Sequence, residues 1–311
     1  MRIEFVNTNK GLMMNYLITG GTGLIGKALI AALSQNNIDI TVLTRNPKQA
    51  KTLLGDHLHF IDTLTGKDIE NKDVVINLAG EPIADKRWTN SQKNKICQSR
   101  WQITQQLVEL IKQAEVPPGL FISGSAIGIY GRQDNKEVNE SYKDFNKEFT
   151  HDICQKWEAI ALSASSEKTR VAILRTGIVL AKNSGALAKM LPPFKLGLGG
   201  PISHGKQVMS WIHYQDMIAA ILHIEKHKEL NGPINLTAPF PVSNDIFSRT
   251  LASQLKRPCF FTTPECLLKI LFGEMADLLI YGQNVVPTKL LDSGYNFKYP
   301  TIQDALSELV S

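Results

Sequence analysis

The chain has 311 residues, of which 43% are hydrophobic and 20% charged, and its formal net charge is +5. These values are typical of a globular protein of one or two domains and exclude a low-complexity chain. The basic residues are scattered and form no stripe, so they do not indicate nucleic-acid binding. No apolar run approaches a membrane span, and the four cysteines show no CxxC or metal-ligand spacing. We therefore predict reduced, mostly buried thiols, no metal site, no membrane contact and a cytoplasmic location.

The first predicted strand begins at Asn15, so residues 1–12 are interpreted as an extension or tag outside the fold. From Asn15 onward, short apolar runs alternate with helical stretches, which is typical of a parallel sheet covered by helices on both faces. One such helix carries Ile103, Leu107, Leu110 and Ile111 in a single stripe, which we predict to pack on the sheet. The predicted strands are NYLIT, DITVLT, HLHFI, DVVINLA, GLFISGS and RVAILRT.

The first strand leads directly into TGGTGLIGKALIAAL, in which Gly20, Gly23 and Gly26 follow the spacing G-x-x-G-x-x-G. At a strand-to-helix turn, such glycines let the backbone approach a pyrophosphate, and the helix N-terminus offers free N–H groups to it. This context favours a dinucleotide-binding turn over a tight turn without a ligand. The predicted cofactor contacts are Gly20, Thr22, Gly23, Leu24, Ile25, Gly26, Thr44, Arg45, Leu78, Ala79 and Gly80.

The end of the second strand indicates which dinucleotide is bound. A carboxylate at this position would hold the ribose hydroxyls of NAD and repel a 2′-phosphate. The sequence has Arg45 here instead, with Lys48 close behind, and no acidic residue between Thr41 and Lys51. A guanidinium can form two hydrogen bonds to a phosphate, so we predict NADP(H) in preference to NAD(H). The alternative is an exposed loop arginine with no ligand.

Several motifs together resemble the extended short-chain dehydrogenase/reductase superfamily. They are TGGTGLIG, NLAG at residues 77–80, SGSAIGIYG at 123–131 and SWIHYQDMIAAI at 210–221. Three further segments resemble one atypical branch, the epimerase family, also described as nucleoside-diphosphate-sugar epimerases, which has its own C-terminal segment. They are GEPIADKRWT at 80–89, FGEMADLLIYGQNVVP at 272–287 and GYNFKYPTIQDAL at 294–306. The resemblance covers residues 15–310.

The resemblance implies a Rossmann-type doubly wound α/β fold with a smaller, mostly helical C-terminal substrate lobe. The dinucleotide-binding domain would comprise residues 15–185 and 211–240. The substrate-covering lobe would comprise residues 186–210 and 241–311. The resemblance also implies a small-molecule substrate and a homodimer.

The catalytic pair of this superfamily is missing from the sequence. The resemblance implies a tyrosine with a lysine four residues later, in the segment FTHDICQKWE at residues 149–158. Alignment on Glu158 puts Thr150 and Cys154 in these two positions, and no tyrosine of the chain has a lysine four residues later. We interpret Cys154 as a packed core thiol, because a reactive thiolate needs a neighbouring cation or helix N-terminus. His151 is predicted to be exposed on the helix.

Other residues could take over parts of the chemistry. Ser125, or Ser123, is the candidate residue for binding a substrate oxygen. Lys86 and Tyr130 are the candidate general acids that would replace the missing tyrosine. Ser125, Lys86 and Tyr130 are therefore the predicted catalytic residues. The candidate substrate contacts are Arg87, Trp88, Arg175 and Trp211.

Each of these assignments has a structural alternative. The serines could bond locally at a strand end. The run 86–88 could be a solvated helix lead-in, and Arg175 could pair with Glu158. His213 and Asp216 are interpreted as a structural hydrogen-bonded pair.

Two functions remain open at this point. The first is an NADP(H)-binding short-chain-type oxidoreductase or epimerase, acting on a small polar or nucleotide-sugar-like substrate without the Tyr-x-x-x-Lys pair. The second is a non-catalytic NADP(H)-dependent binding or regulatory protein.

Overall fold

The computed structural model describes residues 13–35, 38–182 and 184–311. The predicted extension at residues 1–12 therefore lies outside the described residues. Among the described residues, no helix is both long and apolar enough to cross a membrane.

A seven-stranded parallel sheet forms the centre of the molecule. Its strands are β1 (Met14–Thr19), β2 (Ile38–Leu43), β3 (His59–Ile61), β4 (Val74–Asn77), β5 (Leu120–Ala126), β7 (Arg170–Thr176) and β11 (Gly232–Leu236). They lie in the order β11-β7-β5-β4-β1-β2-β3. All four residues of β4 and six of the seven in β5 are buried, as expected for strands covered on both faces. The order confirms the Rossmann-type prediction. The direction in which successive strands are added to the sheet reverses between β1 and β4.

Helices cover both faces of this sheet, and further helices build the C-terminal lobe. The helices are α1 (Leu24–Leu33), α2 (Pro47–Leu54), α3 (Gly66–Ile69), α4 (Asn90–Gln113), α5 (Phe149–Leu162), α6 (Gly185–Lys195), α7 (Tyr214–Lys226), α8 (Asn244–Gln254), α9 (Glu265–Phe272), α10 (Asp277–Ile280), α11 (Thr288–Asp292) and α12 (Ile302–Val310). Along β1, Tyr16 and Ile18 pack with α1 and α7, whereas Leu17 packs on the opposite face with α4. The predicted stripe on α4 packs there, with Leu107 and Ile111 fully buried.

Three short strand pairs lie beyond the main sheet. Their strands are β6 (Glu137–Val138), β8 (Ile178–Ala181), β9 (Val208–Met209), β10 (Trp211–His213), β12 (Val242–Ser243) and β13 (Asn284–Val285). β10 pairs with β8, β12 with β9 and β13 with β6. A second core joins Leu180 and Trp211 of these strands to apolar residues of α6, α8 and α12. The C-terminal lobe is therefore mostly helical and is tied to the first lobe by short strands.

Residues 265–283 form a structure that we call the cap. Its own small core contains Leu268, Ala276 and Ile280. The cap is held beside the carboxyl end of β5, because Gln283 Nε2 donates to the Gly131 carbonyl at 2.6 Å and β13 follows immediately. The cap therefore lies beside the carboxyl edge of the sheet.

Candidate functional site

One cavity of about 880 Å³ lies at the carboxyl ends of β1, β4, β5 and β7. Residues of the glycine turn and residues of the cap both line it. Open α/β sheets bind their ligands at this edge, at the point where the strand order reverses. The cavity is therefore the candidate site.

The glycine turn has the geometry of a phosphate cradle. Gly20 has a φ of +70°, and a Cβ there would lie 2.6 Å from the Leu78 carbonyl carbon. A Cβ on Gly26 would lie 2.3 Å from the Gly20 oxygen, so α1 packs directly on the turn. Gly23 is the N-cap of α1, with no side-chain cap and no acidic residue in the first turn. The first-turn amides can therefore receive an anion, and these residues fit a dinucleotide pyrophosphate.

A buried hydrogen-bond network holds the strand ends around this turn. Thr19 Oγ1 donates to Asn77 Oδ1 at 2.6 Å, and Asn77 Nδ2 donates to Thr104 Oγ1 at 2.8 Å. Trp157 Nε1 donates to the same threonine oxygen at 2.9 Å. The indole also fills the space over Gly124, where a Cβ would lie 2.9 Å from its ring. The network fixes β1 and β4 relative to α4 and α5.

The predicted contacts divide into those that line the cavity and those that lie outside it. Gly20, Gly23, Leu24, Ile25, Gly26 and Leu78 line it. Thr22, Ala79 and Gly80 are sequence neighbours of lining residues but do not line it themselves. Thr44 and Arg45 follow β2, whose Leu43 pairs with Thr19 immediately before the glycine turn. Arg45 is exposed and has no partner among the described residues.

The positions of the missing catalytic pair face the cavity. Thr150 and Cys154 both line it from α5. Burial raises the pKa of the Cys154 thiol to about 12, so the thiol is neutral, and its interpretation as a core cysteine is confirmed. The prediction that His151 is exposed is wrong. Its side chain is buried, and Nδ1 donates to the Ile129 carbonyl oxygen at 2.6 Å, which satisfies this ring nitrogen away from water.

Ser125 lines the cavity and begins a chain of buried polar contacts. Its hydroxyl donates to Glu158 Oε1 at 2.7 Å. Arg175 binds the same carboxylate through Nε at 2.9 Å and Nη2 at 2.8 Å, which confirms the structural alternative for this arginine. Nη1 of Arg175 then donates to the Tyr130 hydroxyl at 3.0 Å.

Tyr130 and Arg175 lie behind the cavity wall. The Tyr130 hydroxyl donates to Asn235 Oδ1 at 2.7 Å, and burial raises the pKa of this phenol. Neither Tyr130 nor Arg175 lines the cavity, so the structure does not place the predicted acid or the predicted substrate contact there. Ser123 is fully buried within β5 and does not line the cavity either.

The run at residues 86–88 is only partly at the site. Trp88 lines the cavity, its Nε1 donates to the Ile83 carbonyl at 2.8 Å, and its ring meets Phe149 edge-on at 5.0 Å. Lys86 and Arg87 are exposed and do not line it. Arg87 instead lies against Gly273 of the cap, where a Cβ would be 3.0 Å from Nη2. The predicted acid Lys86 and the predicted substrate contact Arg87 therefore do not reach the cavity.

The segment that returns to the sheet supports the second core. Trp211, a predicted substrate contact, is fully buried there and does not line the cavity. His213 Nε2 lies 3.1 Å from Glu308 Oε2 in α12. Asp216 accepts the backbone N–H groups of residues 298 and 299 at 2.7 and 2.9 Å. His213 and Asp216 are thus structural, but the residues do not form the predicted hydrogen-bonded pair.

An ionic cluster at the cap is absent from the residues predicted from the sequence. Arg132 Nε lies 2.7 Å from Glu148 Oε1, and Nη2 lies 2.7 Å from Asp277 Oδ2. The guanidinium also lies 3.6 Å from the ring centroid of Tyr281. All four residues line the cavity. Arg132 could have been found because it follows the carboxyl end of β5, whereas no local pattern marks Asp277 or Tyr281.

Comparisons with known proteins agree with this architecture. Residues 16–236 match the model of the NAD dependent epimerase/dehydratase family, and residues 263–309 match DUF1731, a domain of unknown function. The chain belongs to the NAD-dependent epimerase/dehydratase family. This result confirms the resemblance found in the sequence, including the family-specific C-terminal segment.

Relatives of this family member align with it over nearly the whole chain. Epimerase family protein SERP0438 of Staphylococcus epidermidis is 36% identical over 298 residues, which cover 96% of this chain and 99% of that protein. The human epimerase family protein SDR39U1, solved with NADPH, has a TM-score of 0.86 and 31% identity, covering 95% and 99% of the two chains. A UDP-glucuronic acid 4-epimerase from Bacillus cereus has a TM-score of 0.76 at 18% identity over 95% and 98%, which shows the fold alone.

Proposed function

We propose that this family member is an NADP(H)-dependent oxidoreductase or epimerase of the short-chain type. One observation carries the proposal: a single cavity joins the glycine turn to Ser125 and to the cap. The cofactor would occupy the end at Gly20–Gly26, and a small-molecule substrate would occupy the cap end. Such an arrangement supports chemistry between two bound molecules, because it holds both in one enclosed space.

The preference for NADP(H) is supported by charge at the end of β2. Arg45 is exposed and unpaired among the described residues, and no carboxylate stands between residues 41 and 51 to repel a 2′-phosphate. The human relative was solved with NADPH. We therefore propose NADP(H) over NAD(H).

When bound, the dinucleotide would exchange a hydride with the substrate. The substrate oxygen would lie at Ser125, whose oxygen can accept a hydrogen bond because its own proton is donated to Glu158. A substrate hydroxyl could pass its proton to Ser125 Oγ while Ser125 passes its own to Glu158 Oε1. Lys86 and Tyr130 are left out of this chemistry, because neither lines the cavity.

Titration calorimetry and NADPH oxidation test the proposal together. We expect NADPH to bind the purified protein at least about tenfold more tightly than NADH, a difference of one favourable phosphate contact. We also expect NADPH consumption with at least one member of a panel of carbonyl compounds. Absence of binding by both cofactors would refute the proposal at its first step.

A second candidate is a non-catalytic protein whose NADP(H) orders a binding surface. The observation that favours it is the pair Thr150 and Cys154, which replaces tyrosine and lysine and includes a thiol kept neutral by burial. Sedimentation velocity with and without NADPH tests it. A cofactor-dependent change in association, combined with no turnover of any carbonyl, would favour this candidate over the enzyme.

A further inference from the structure

The cap end of the cavity has a largely apolar wall. We define the substrate end as the part lined by residues 82–84, 88, 148–149, 190 and the cap. Its large apolar side chains are Ile83, Trp88, Phe149, Met190, Leu278 and Leu279. The indole N–H of Trp88 is already donated to Ile83, so this ring presents mainly carbon to the cavity.

The charged side chains of the lining do not offset this character. The whole lining contains two cationic residues, Arg100 and Arg132, and three acidic ones, Glu148, Glu274 and Asp277. Its formal balance is therefore acidic. A nucleoside diphosphate carries negative charge on both phosphates and requires nearby cations or amide donors to compensate for lost hydration.

Neither cation is available at the substrate end. Arg132 is held between Glu148 and Asp277, so its charge is neutralised. Nη1 of Arg100 donates to the carbonyls of Glu81 and Ile96, and the side chain lies beside Gly80, a predicted cofactor contact.

The third acidic residue is also paired. Glu274 Oε2 lies 2.5 Å from Nζ of Lys93, a residue of α4 that does not itself line the cavity. The charge of this neighbouring lysine is therefore compensated as well. Among the described residues, no unpaired cation lines the substrate end.

We propose that the substrate is an uncharged, largely apolar molecule with an aromatic or branched aliphatic body and one carbonyl group. This inference rests on the proposed function. In the forward direction, a hydride with its electron pair would add to the carbonyl carbon. The carbonyl oxygen would take up the Ser125 hydroxyl proton to become a hydroxyl, and Ser125 would regain a proton through Glu158, with water as the final proton source. NADPH would be oxidised to NADP⁺ in the same step. The oxygen would lie at Ser125, and the body would pack between Trp88, Phe149 and the cap leucines.

Binding to the cofactor-loaded protein tests this inference. The protein saturated with NADP⁺, which cannot reduce a ketone, is titrated with acetophenone, 2-acetylnaphthalene, cyclohexanone and UDP-glucose. Calorimetry and tryptophan fluorescence give the dissociation constants. We expect at least one neutral ketone to bind at least about tenfold more tightly than UDP-glucose, because apolar burial is favourable and no unpaired cation among the described residues of the substrate end compensates a phosphate.

A matched pair of variants locates the binding. Leu278→Glu adds a carboxylate at a cap residue that lines the cavity and is 37% exposed, so the fold should tolerate it. Leu291→Glu makes the same change in α11 at a residue that is 45% exposed and outside the lining. We expect the first variant to weaken ketone binding by about tenfold or more and the second to leave it unchanged. Both should bind NADPH as the wild type does.

The outcomes separate the inference from the proposed function. Tighter binding of UDP-glucose than of every ketone would overturn the inference, as would binding of no ketone by a protein that takes up NADP⁺. Equal effects of the two leucine variants would also overturn it. Failure to bind NADPH and NADH would instead refute the proposed function itself.

Discussion

Arg45 is the side chain on which the proposed preference for NADP(H) depends. It lies just past the edge of the sheet, exposed and without a partner among the described residues. A guanidinium in this state gains most from a phosphate, because it gives up no existing ion pair. The proposed preference for NADP(H) over NAD(H) can therefore be tested by substituting this one residue.

We expect Arg45→Glu to weaken NADPH binding by about 10- to 100-fold, the range of one charge-assisted contact of about 1.5–3 kcal/mol. NADH binding should stay the same or improve, because the new carboxylate can hold ribose hydroxyls. Lys51→Glu, an exposed position on α2, makes the same charge change and serves as the control. The assignment fails if both variants weaken NADPH and NADH equally.

Individual side chains were predictable where a local rule identified them. Gly20, Gly23 and Gly26 were found because only a strand–turn–helix with these spacings gives the cradle. His151 was misjudged because its burial depends on the carbonyl of Ile129, 22 residues away along the chain. Trp88 and Arg87 are adjacent in sequence, yet one lines the cavity and the other contacts the cap. Such choices are made by tertiary packing.

Helix α5 carries one wall of the site on a single face. Thr150, Cys154, Trp157 and Glu158 follow the three- and four-residue spacing of a helix, so all four turn toward β5 and the cavity region. Glu158 and Arg175 are 6% and 5% exposed, and together they tie α5 to the end of β7. The helix is thus fixed by a buried ion pair.

We expect Glu158→Ala to lower the free energy of unfolding by about 3–5 kcal/mol, because it leaves the Arg175 charge buried and uncompensated. Replacing both residues, as Glu158→Leu with Arg175→Met, should recover much of the loss. Urea denaturation measures both effects. Asp245→Ala, which breaks the exposed Arg249 pair on α8, is the control and should change little. A single Glu158 variant as stable as wild type would show that the pair does not hold α5.

The two lobes are joined through a buried histidine. His213 of β10 is fully buried, lies 3.1 Å from Glu308 of α12, and has Asp216 and Lys298 nearby. Burial lowers the pKa of this imidazole below its usual 6.5, although Glu308 acts in the opposite direction. His213 therefore binds a proton less readily in the folded protein than in the unfolded chain.

We expect the contribution of His213 to the free energy of unfolding to decrease as pH falls below about 6.5, because at this residue the unfolded state then binds more protons than the folded state. The loss continues until the folded-state pKa is reached. His213→Gln should remove this contribution and leave that of His223, whose pKa is also lowered by burial. Thermal unfolding between pH 5 and 8 measures it, with His204→Gln, an exposed position, as the control. Identical pH profiles for wild type and the His213 variant would contradict the assignment.

The architecture of the first lobe followed from the sequence, whereas the arrangement of the cap did not. Apolar runs of strand length alternating with helices predict a parallel sheet, since crossover connections are right-handed and leave few possible strand orders. The cap depends on contacts such as Gln283 with Gly131 and Arg132 with Asp277, which join residues about 150 positions apart. No periodicity in the sequence marks such pairs.

The two ends of the cavity are encoded far apart in the gene. Codons near the start specify the phosphate cradle, and codons near residues 265–283 specify the wall opposite it. Recombination or several substitutions in the later stretch could therefore change the substrate specificity without changing the residues that bind the coenzyme. Proteins that descend from one ancestral gene would then share a coenzyme and differ in their substrates.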